Sequence, residues 1–400
     1  MIVSSGVCAL SGLTVLDLTR VLAGPLCAMT LGDMGADVIK VEPPAGDDTR
    51  HWGPPHVGGE AAYYLGVNRN KKSLRLDLGK PQAGEILGRL IARSDVLIEN
   101  YKNGTLDKWG FDSSWMEKHA PRLIHCSITG YGDSGPKADL PGYDFVLLAE
   151  SGLMHITGAI DGAPVKHGVA IVDIATGLYA TIGILGALQA RGTTGKGQKV
   201  GVSLLETGLS MLANVAANHL ATGNEARRFG NGHPNIVPYT TFATLDGALA
   251  LAVGNDAQFA RFAEVAGHPE WSGDQRFTKN ADRVKNRVEI EALVCAAVAK
   301  HSTAWWIETL RGVGVPCGAV NGVKTALADP QSVARNMVIE MAHPTAGMLQ
   351  TLGFPVKLGA TPLSARQPPP LLGEHSADVL QGELGMDAAQ IAKLRADGVI

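Results

Sequence analysis

The chain is poor in aromatic residues (5%) and nearly neutral, with 35 basic against 38 acidic side chains and a net charge of −3. Such a balance leaves no overall field to draw it onto a nucleic acid or an anionic membrane, so neither is expected as a partner. Charged residues at 18% and hydrophobic ones at 45% exclude a disordered chain and a charged coiled coil. The five cysteines, Cys8, Cys27, Cys126, Cys295 and Cys317, are odd in number and never spaced C-x-x-C. Neither a disulfide framework nor a zinc site is expected from them. The longest apolar run, residues 174–188, falls short of the ~20 residues of a membrane span. Residues 1–7 hold no basic group of the kind targeting peptides carry, and a cytoplasmic location is expected.

Motifs are missing too. There is no G-x-G-x-x-G after the first strand, no G-x-S-x-G and no H-E-x-x-H, and the 12 histidines show no metal-ligand spacing. The run GTTGKG (192–197) lacks P-loop spacing and reads as a helix-ending turn.

What the chain has in excess is glycine, 49 of 400 residues, or about 12% against ~7% on average. Short apolar runs at 13–18, 36–42, 73–78, 95–100 and 123–129 read as strands, alternating with helical patterns at 23–34 and 81–93. That alternation predicts an α/β fold with a parallel sheet, whose ligands bind beyond the carboxyl ends of its strands. Residues 173–191 read as one long helix, hydrophobic nearly all round and so expected to be buried. After a polar linker the texture changes: residues 239–253 alternate around Asp246-Gly247 as a hairpin, and charged helices follow to 310. The expected division is a large Rossmann-like domain from 1–224, a small α+β domain over 225–325, and a return to the large domain at 326–400.

Three constellations can carry chemistry. Arg69, Lys71, Lys72 and Arg75 gather four cations, either a solvated strand edge or a landing place for phosphates. Asp173 opens the apolar helix, either as an N-cap or as a carboxylate kept ionised by the helix terminus and able to act as a nucleophile. Residues 254–258 (GNDAQ) are either a helix cap or a cradle of backbone N–H groups for an oxyanion.

The order of these and other segments resembles the class III CoA-transferases, the carnitine CoA-transferase/formyl-CoA transferase family, over essentially the whole chain. The resemblance is carried by LDLTRVLAGP (16–25), LGDMGADVIKVE (31–42), NRNKKS (68–73), DVLIENY (95–101) and SITGYG (127–132). It continues through GYD (142–144), VD (172–173), TGKGQ (194–198) and PPPLLG (368–373). Further segments, GDDTRHWGPP (46–55), SGLMHITG (151–158), GVAIVDIATGLYA (168–180) and IVPY (236–239), are most similar to the branch that uses succinyl-CoA and glutarate.

The resemblance implies an interlocked homodimer, coenzyme A as acyl-CoA substrate, and no metal. It implies Asp173 as the catalytic aspartate, attacking the thioester to form an aspartyl anhydride and then an aspartyl-CoA thioester. It places Arg20, Val21, Leu22, Ala23, Asn70, Lys71, Lys72, Asn100, Tyr101, Lys108 and Tyr131 among the CoA contacts. Tyr143, His167, Gly254, Asn255, Asp256 and Gln258 fall at the substrate and its covering loop, with Arg20 or His167 as candidates for the distal carboxylate. Leu22 stands where formyl-CoA transferase has glutamine, and Pro43 where it has an arginine, which weakens an oxalate or formyl substrate. The family's α-methylacyl-CoA racemase branch is an alternative, but it carries histidine where this chain has Tyr143. A CoA-transferase for another carboxylic acid and a non-catalytic acyl-CoA binder are the other readings.

Overall fold

The computed structural model describes residues 7–400. The chain forms two units: one from its start to Leu153, Lys166–Ala217 and Pro330–Ile400, the other from Met154–Val165 and Asn218–Asp329.

The larger unit is built on six strands: β1 (Thr14–Asp17), β2 (Asp37–Glu42), β3 (Lys71–Arg75), β4 (Val96–Glu99), β5 (Ile124–Thr129) and β6 (Gln198–Ser203). Their order is β3-β2-β1-β4-β5-β6 and every pairing is parallel, with Val15 opposite both Val38 and Val96. Consecutive residues such as Leu97 and Ile98 are fully buried, because a parallel sheet is covered on both faces. The order reverses between β1 and β4, so the chains leaving these two strands diverge and open a crevice at their carboxyl ends.

Helices α1 (Ala23–Asp33), α2 (Ala62–Val67) and α3 (Pro81–Arg93) lie between the first four strands in the chain. In α3 the buried residues Ala83, Ile86, Leu87, Leu90 and Ile91 form one helical stripe, and Pro81 takes the first position, where its missing N–H costs nothing. Val379, Leu380, Leu384, Ile391, Val399 and Ile400 complete the same core, so both ends of the chain build this unit. Helices α4 (Asp144–Glu150), α5 (Ile171–Thr194) and α6 (Leu204–Ser210) follow β5, with β6 between the last two.

Two expectations about α5 change. At 24 residues it is longer than its apolar run, and by length and composition alone it could cross a membrane. Its buried side, including Val172, Gly177, Ala180 and Ile184, packs on α1 and the sheet, whereas Leu178 (48%), Tyr179 (43%) and Ile182 (63%) are exposed within one chain. The turn after it ends the helix as expected, Gly195 adopting φ +72° and donating to Arg191 O. The strand β6 that follows escaped the sequence reading because it is a half-exposed edge with no apolar run.

The smaller unit has an antiparallel sheet of β7 (Tyr239–Ala243), β8 (Ala248–Ala252) and β9 (Cys317–Ala319), β8 being central. Thr244 N donates to Gly247 O (3.0 Å) to close the hairpin. Phe242, Phe259, Phe262, Trp271 and Trp306 form much of its core. The sequence boundary at 225 missed Met154–Val165, which joins this unit through His155 O accepting from Arg228 Nη1 (2.8 Å).

Candidate active site

Beyond the carboxyl ends of β1, β4 and β5 lies a cavity of about 360 Å³ in the larger unit. Arg20, Val21, Leu22 and Ala23 line it from the turn after β1, Asn100, Tyr101, Lys102 and Asn103 from the turn after β4. Gly130, Gly142 and Tyr143 line it after β5, and Asp173 closes it from the first turn of α5.

The β1 turn is held in an unusual shape. Val21 has φ +73°, a conformation costly for a β-branched residue. Asn100 braces the preceding residue, its Oδ1 accepting from Arg20 N (3.1 Å) and its Nδ2 donating to Arg20 O (2.9 Å). Gly24 is required next, since a Cβ there would lie 2.3 Å from Thr19 Cβ. Beneath the turn, buried Lys40 Nζ donates to Thr19 O (2.8 Å) and pairs with Asp47 (2.9 Å). Burial opposes the Lys40 charge, but Asp17, Asp47 and Glu42 outweigh it and push its pKa up to about 12.

Two further loops meet backbone to backbone. A Cβ on Gly130 would lie 2.7 Å from Gly142 Cα, so only glycines allow this wall of the cavity. Asn103 ties the loop down, donating to Gly132 O (3.0 Å) and Ala138 O (2.8 Å).

Asp173 is not the N-cap of its helix. Ala170 holds that position, and Asp144 from the start of α4 does the capping: its Oδ1 accepts from Val172 N (2.8 Å) and Asp173 N (3.2 Å). The expectation that the helix terminus keeps Asp173 fully ionised is corrected here. Burial and the neighbouring Asp144 charge push the Asp173 pKa up to about 7. The Tyr63 hydroxyl is raised to about 12 by burial and by Asp173, Asp144 and Asp47, which places α2 beside the same carboxylates.

Arg20, Val21, Leu22, Ala23, Asn100, Tyr101, Tyr143 and Asp173 therefore come together, whereas other residues singled out in the sequence do not line the cavity. Asn70, at φ +60°, is buried and bonded to Asp33, Ser364, Arg366 and Gln367, which makes it a brace of the fold. Lys71 is fully buried and its Nζ serves Asp17 (3.0 Å), Pro25 O (2.9 Å) and Asn68 (2.9 Å). Lys72 pairs with Asp37 at 2.7 Å. In this segment Arg69 and Lys71 form buried pairs with Asp33 and Asp17, and the Lys72–Asp37 pair is partly exposed on the sheet's edge strand.

Lys108 and His167 are exposed and lie off the cavity wall, and Tyr131 sits under Lys137 Nζ at 5.2 Å from its ring centre. Gly254, Asn255, Asp256 and Gln258 belong to the smaller unit. There Gly254 N donates to Gln258 Oε1 (2.8 Å), Asn255 caps the following helix, and Asp256 receives Asn280 N and Arg283. The sequence reading missed Asp144 as a site residue. The one signal for Asp144 was its place in the GYD segment, since its role depends on a contact 28 residues away in the chain.

The residues place the Asp173 carboxylate at the wall of this crevice, and no group of three or more histidine, cysteine or acidic residues able to hold a metal occurs among the described residues. The family described as CoA-transferase family III matches residues 10–376. Succinyl-CoA:glutarate CoA-transferase of Mus musculus is 45% identical over 98% of this chain and 90% of its own. Succinate–glutarate CoA-transferase of Agrobacterium fabrum is 42% identical over 93% and 94%. Among solved structures, a CAIB/BAIF family protein from Brucella suis superposes with a TM-score of 0.83 at 42% identity, covering 94% of this chain and 99% of that one. In sequence and in fold, the chain belongs to CoA-transferase family III, enzymes whose substrate is acyl-CoA.

Proposed function

We propose that the enzyme transfers coenzyme A from succinyl-CoA to glutarate, with Asp173 as the nucleophile. The observation that carries this reading is the position of Asp173: half-buried at a cavity formed by the β1, β4 and β5 turns, at the switch point of a parallel sheet. A carboxylate with a pKa near 7 is available as an anion at neutral pH and is more basic than an ordinary aspartate.

In the proposed sequence an Asp173 oxygen bonds to the thioester carbonyl carbon, the C–S bond breaks, and CoA leaves as thiolate. The product is a mixed anhydride. The thiolate attacks the aspartyl carbonyl, the anhydride C–O bond breaks and succinate leaves, giving an aspartyl-CoA thioester. Glutarate then attacks that thioester, expelling CoA thiolate, which attacks the glutaryl carbonyl and frees Asp173. Each step exchanges one acyl bond for another, so a closed pocket that keeps water from the anhydride matters more than an external energy source. Arg20, exposed and paired with Asp48 at 3.1 Å, is one of two cations at the cavity, with Lys102, and the one we assign to a substrate anion.

The enzyme is further proposed to be a cytoplasmic homodimer. The exposed Leu178, Tyr179 and Ile182 on α5 support an apolar interface, and all five cysteines are free thiols. Racemase chemistry lacks support at position 143, where that branch carries histidine and this chain has tyrosine.

The test incubates succinyl-CoA with a panel of dicarboxylates and reads new thioesters by mass spectrometry. Glutaryl-CoA as the leading product is expected. A different leading product overturns the acceptor, and full activity in Asp173→Ala overturns the mechanism.

A further inference from the structure

We propose that Asp144 is a positioning residue for acyl transfer, holding the first turn of α5 and driving negative charge off Asp173 as the acyl bond forms. This rests on the reading of Asp173 as nucleophile and deepens it.

The geometry is specific. Asp144 opens α4, yet its Oδ1 receives the N–H groups of Val172 and of Asp173 itself. The cap of the helix and the neighbour of the nucleophile are thus one carboxylate. A serine or asparagine satisfies such N–H groups equally well without a charge, so capping alone does not call for an acid beside another acid.

The charge has a consequence in the reaction. Before attack, Asp173 and Asp144 are like charges in a partly desolvated site, which disfavours both being ionised. When the Asp173 oxygen bonds to the thioester carbon and the C–S bond breaks, the electron pair and its charge pass to sulfur. Asp173 is then a neutral acyl group and the repulsion is gone. Asp144 therefore favours the acyl-enzyme over the free carboxylate, and it adds to burial, the larger cause, in raising the Asp173 pKa.

The cations Arg20, paired with Asp48, and Lys102 line the same cavity as Asp173, and the remaining charges on the elements packed against α5 are committed elsewhere. From α1 the close neighbours are Ala23 and Leu26, and from α2 the site faces Tyr63, a neutral hydroxyl at physiological pH. Glu206 of α6 is bonded to Ser203, Glu150 of α4 to Lys137, and Lys199 of β6 to Asp133. In β5, His125 lies beside Glu99 at 3.4 Å. Asp144 is the charged neighbour that acts on Asp173 beside burial.

The experiment compares wild type, Asp144→Asn and Asp144→Ala. The amide keeps an oxygen for both N–H groups and removes the charge; alanine removes both. Each protein is treated with succinyl-CoA, the adduct is trapped with hydroxylamine and mapped by peptide mass spectrometry, and kcat/KM is followed from pH 5 to 9. In Asp144→Asn we expect near-wild-type thermal stability, an adduct still at Asp173, an acidic limb lower by about one pH unit or more, and slower adduct formation at pH 8. Asp144→Ala should show the same pH shift with an added loss of thermal stability. An Asp144→Asn profile that superposes on wild type overturns the proposal, as do losses in both variants that only track the folded fraction. An adduct mapping away from Asp173 in wild type overturns the nucleophile assignment itself, a result distinct from either.

Discussion

Asn100 and Arg20 are joined in both directions: the amide oxygen of Asn100 accepts from Arg20 N at 3.1 Å and its nitrogen donates to Arg20 O at 2.9 Å. Two strands that neighbour each other in the sheet, β1 and β4, are thereby locked together just past their ends, where Val21 holds its positive φ. Replacing Asn100 by alanine removes both bonds, about 2 kcal/mol at ~1 kcal/mol each. The β1 turn should relax, and acyl-CoA binding should weaken by about tenfold or more. Calorimetric titration with CoA checks this, and binding equal to wild type would remove the turn from the site.

Asp173→Asn should stabilise the protein in a pH-dependent way. The folded pKa, about 7, lies above the ordinary 3.8, so the folded state keeps a proton that the unfolded chain loses. That contribution is present below the unfolded value and is lost as pH rises through the folded one. Ionised Asp173 therefore weighs on the wild type above pH 7. We expect the asparagine variant to be more stable by about 1–3 kcal/mol at pH 8, a gap that narrows toward pH 5. Urea melts at both pH values measure it.

Gly177 should be hard to replace because it meets backbone, whereas a Cβ on Gly183 would meet only the Val200 side chain, at 2.7 Å. A Cβ on Gly177 would sit 2.6 Å from Ala23 O, so α5 would have to lift off α1 at a residue lining the cavity. Gly177→Ala is expected to cost about 1–3 kcal/mol and to impair acyl-CoA binding. Gly186→Ala, with no atom within 4 Å of its added carbon, should instead stabilise by up to ~1 kcal/mol. Equal urea midpoints for the two variants would contradict the packing.

Arg50 and Arg20 should respond oppositely to mutation. Arg50 is buried and donates to Glu42 through Nε (2.8 Å) and Nη2 (2.7 Å), to Glu60 (2.9 Å), to Tyr64 and to Pro370 O. Arg50→Met leaves Glu42 buried without its partner and should cost about 3–5 kcal/mol. The Arg20–Asp48 pair is half-exposed, and Arg20→Met should change stability by under ~1 kcal/mol while raising KM for a substrate anion. Thermal melts set beside KM separate the two roles.

Much of this was legible along the chain. The helical pattern at 81–93 gave α3 with its bounds, and the strand runs marked the parallel sheet, because apolar burial leaves its period in the sequence. Asp173 and the β1 and β4 turns could be named because their segments are contiguous and their motifs specific. The α/β fold was therefore determined by the sequence itself, although the strand expected at 73–78 lies at Lys71–Arg75.

Tertiary structure decided which charges are free. Composition showed a basic cluster at 69–75, but only the folded chain brings Asp17 to Lys71, Asp33 to Arg69 and Asp37 to Lys72, consuming three of its cations. It also decided the protonation of Asp173: the helix terminus alone favours the anion, whereas burial and Asp144, 29 residues earlier in the chain, favour the acid. Hydrophobic periodicity is a local property that a sequence carries openly. Desolvation and Coulomb interactions depend on distances between remote segments, and those exist only once the chain has folded.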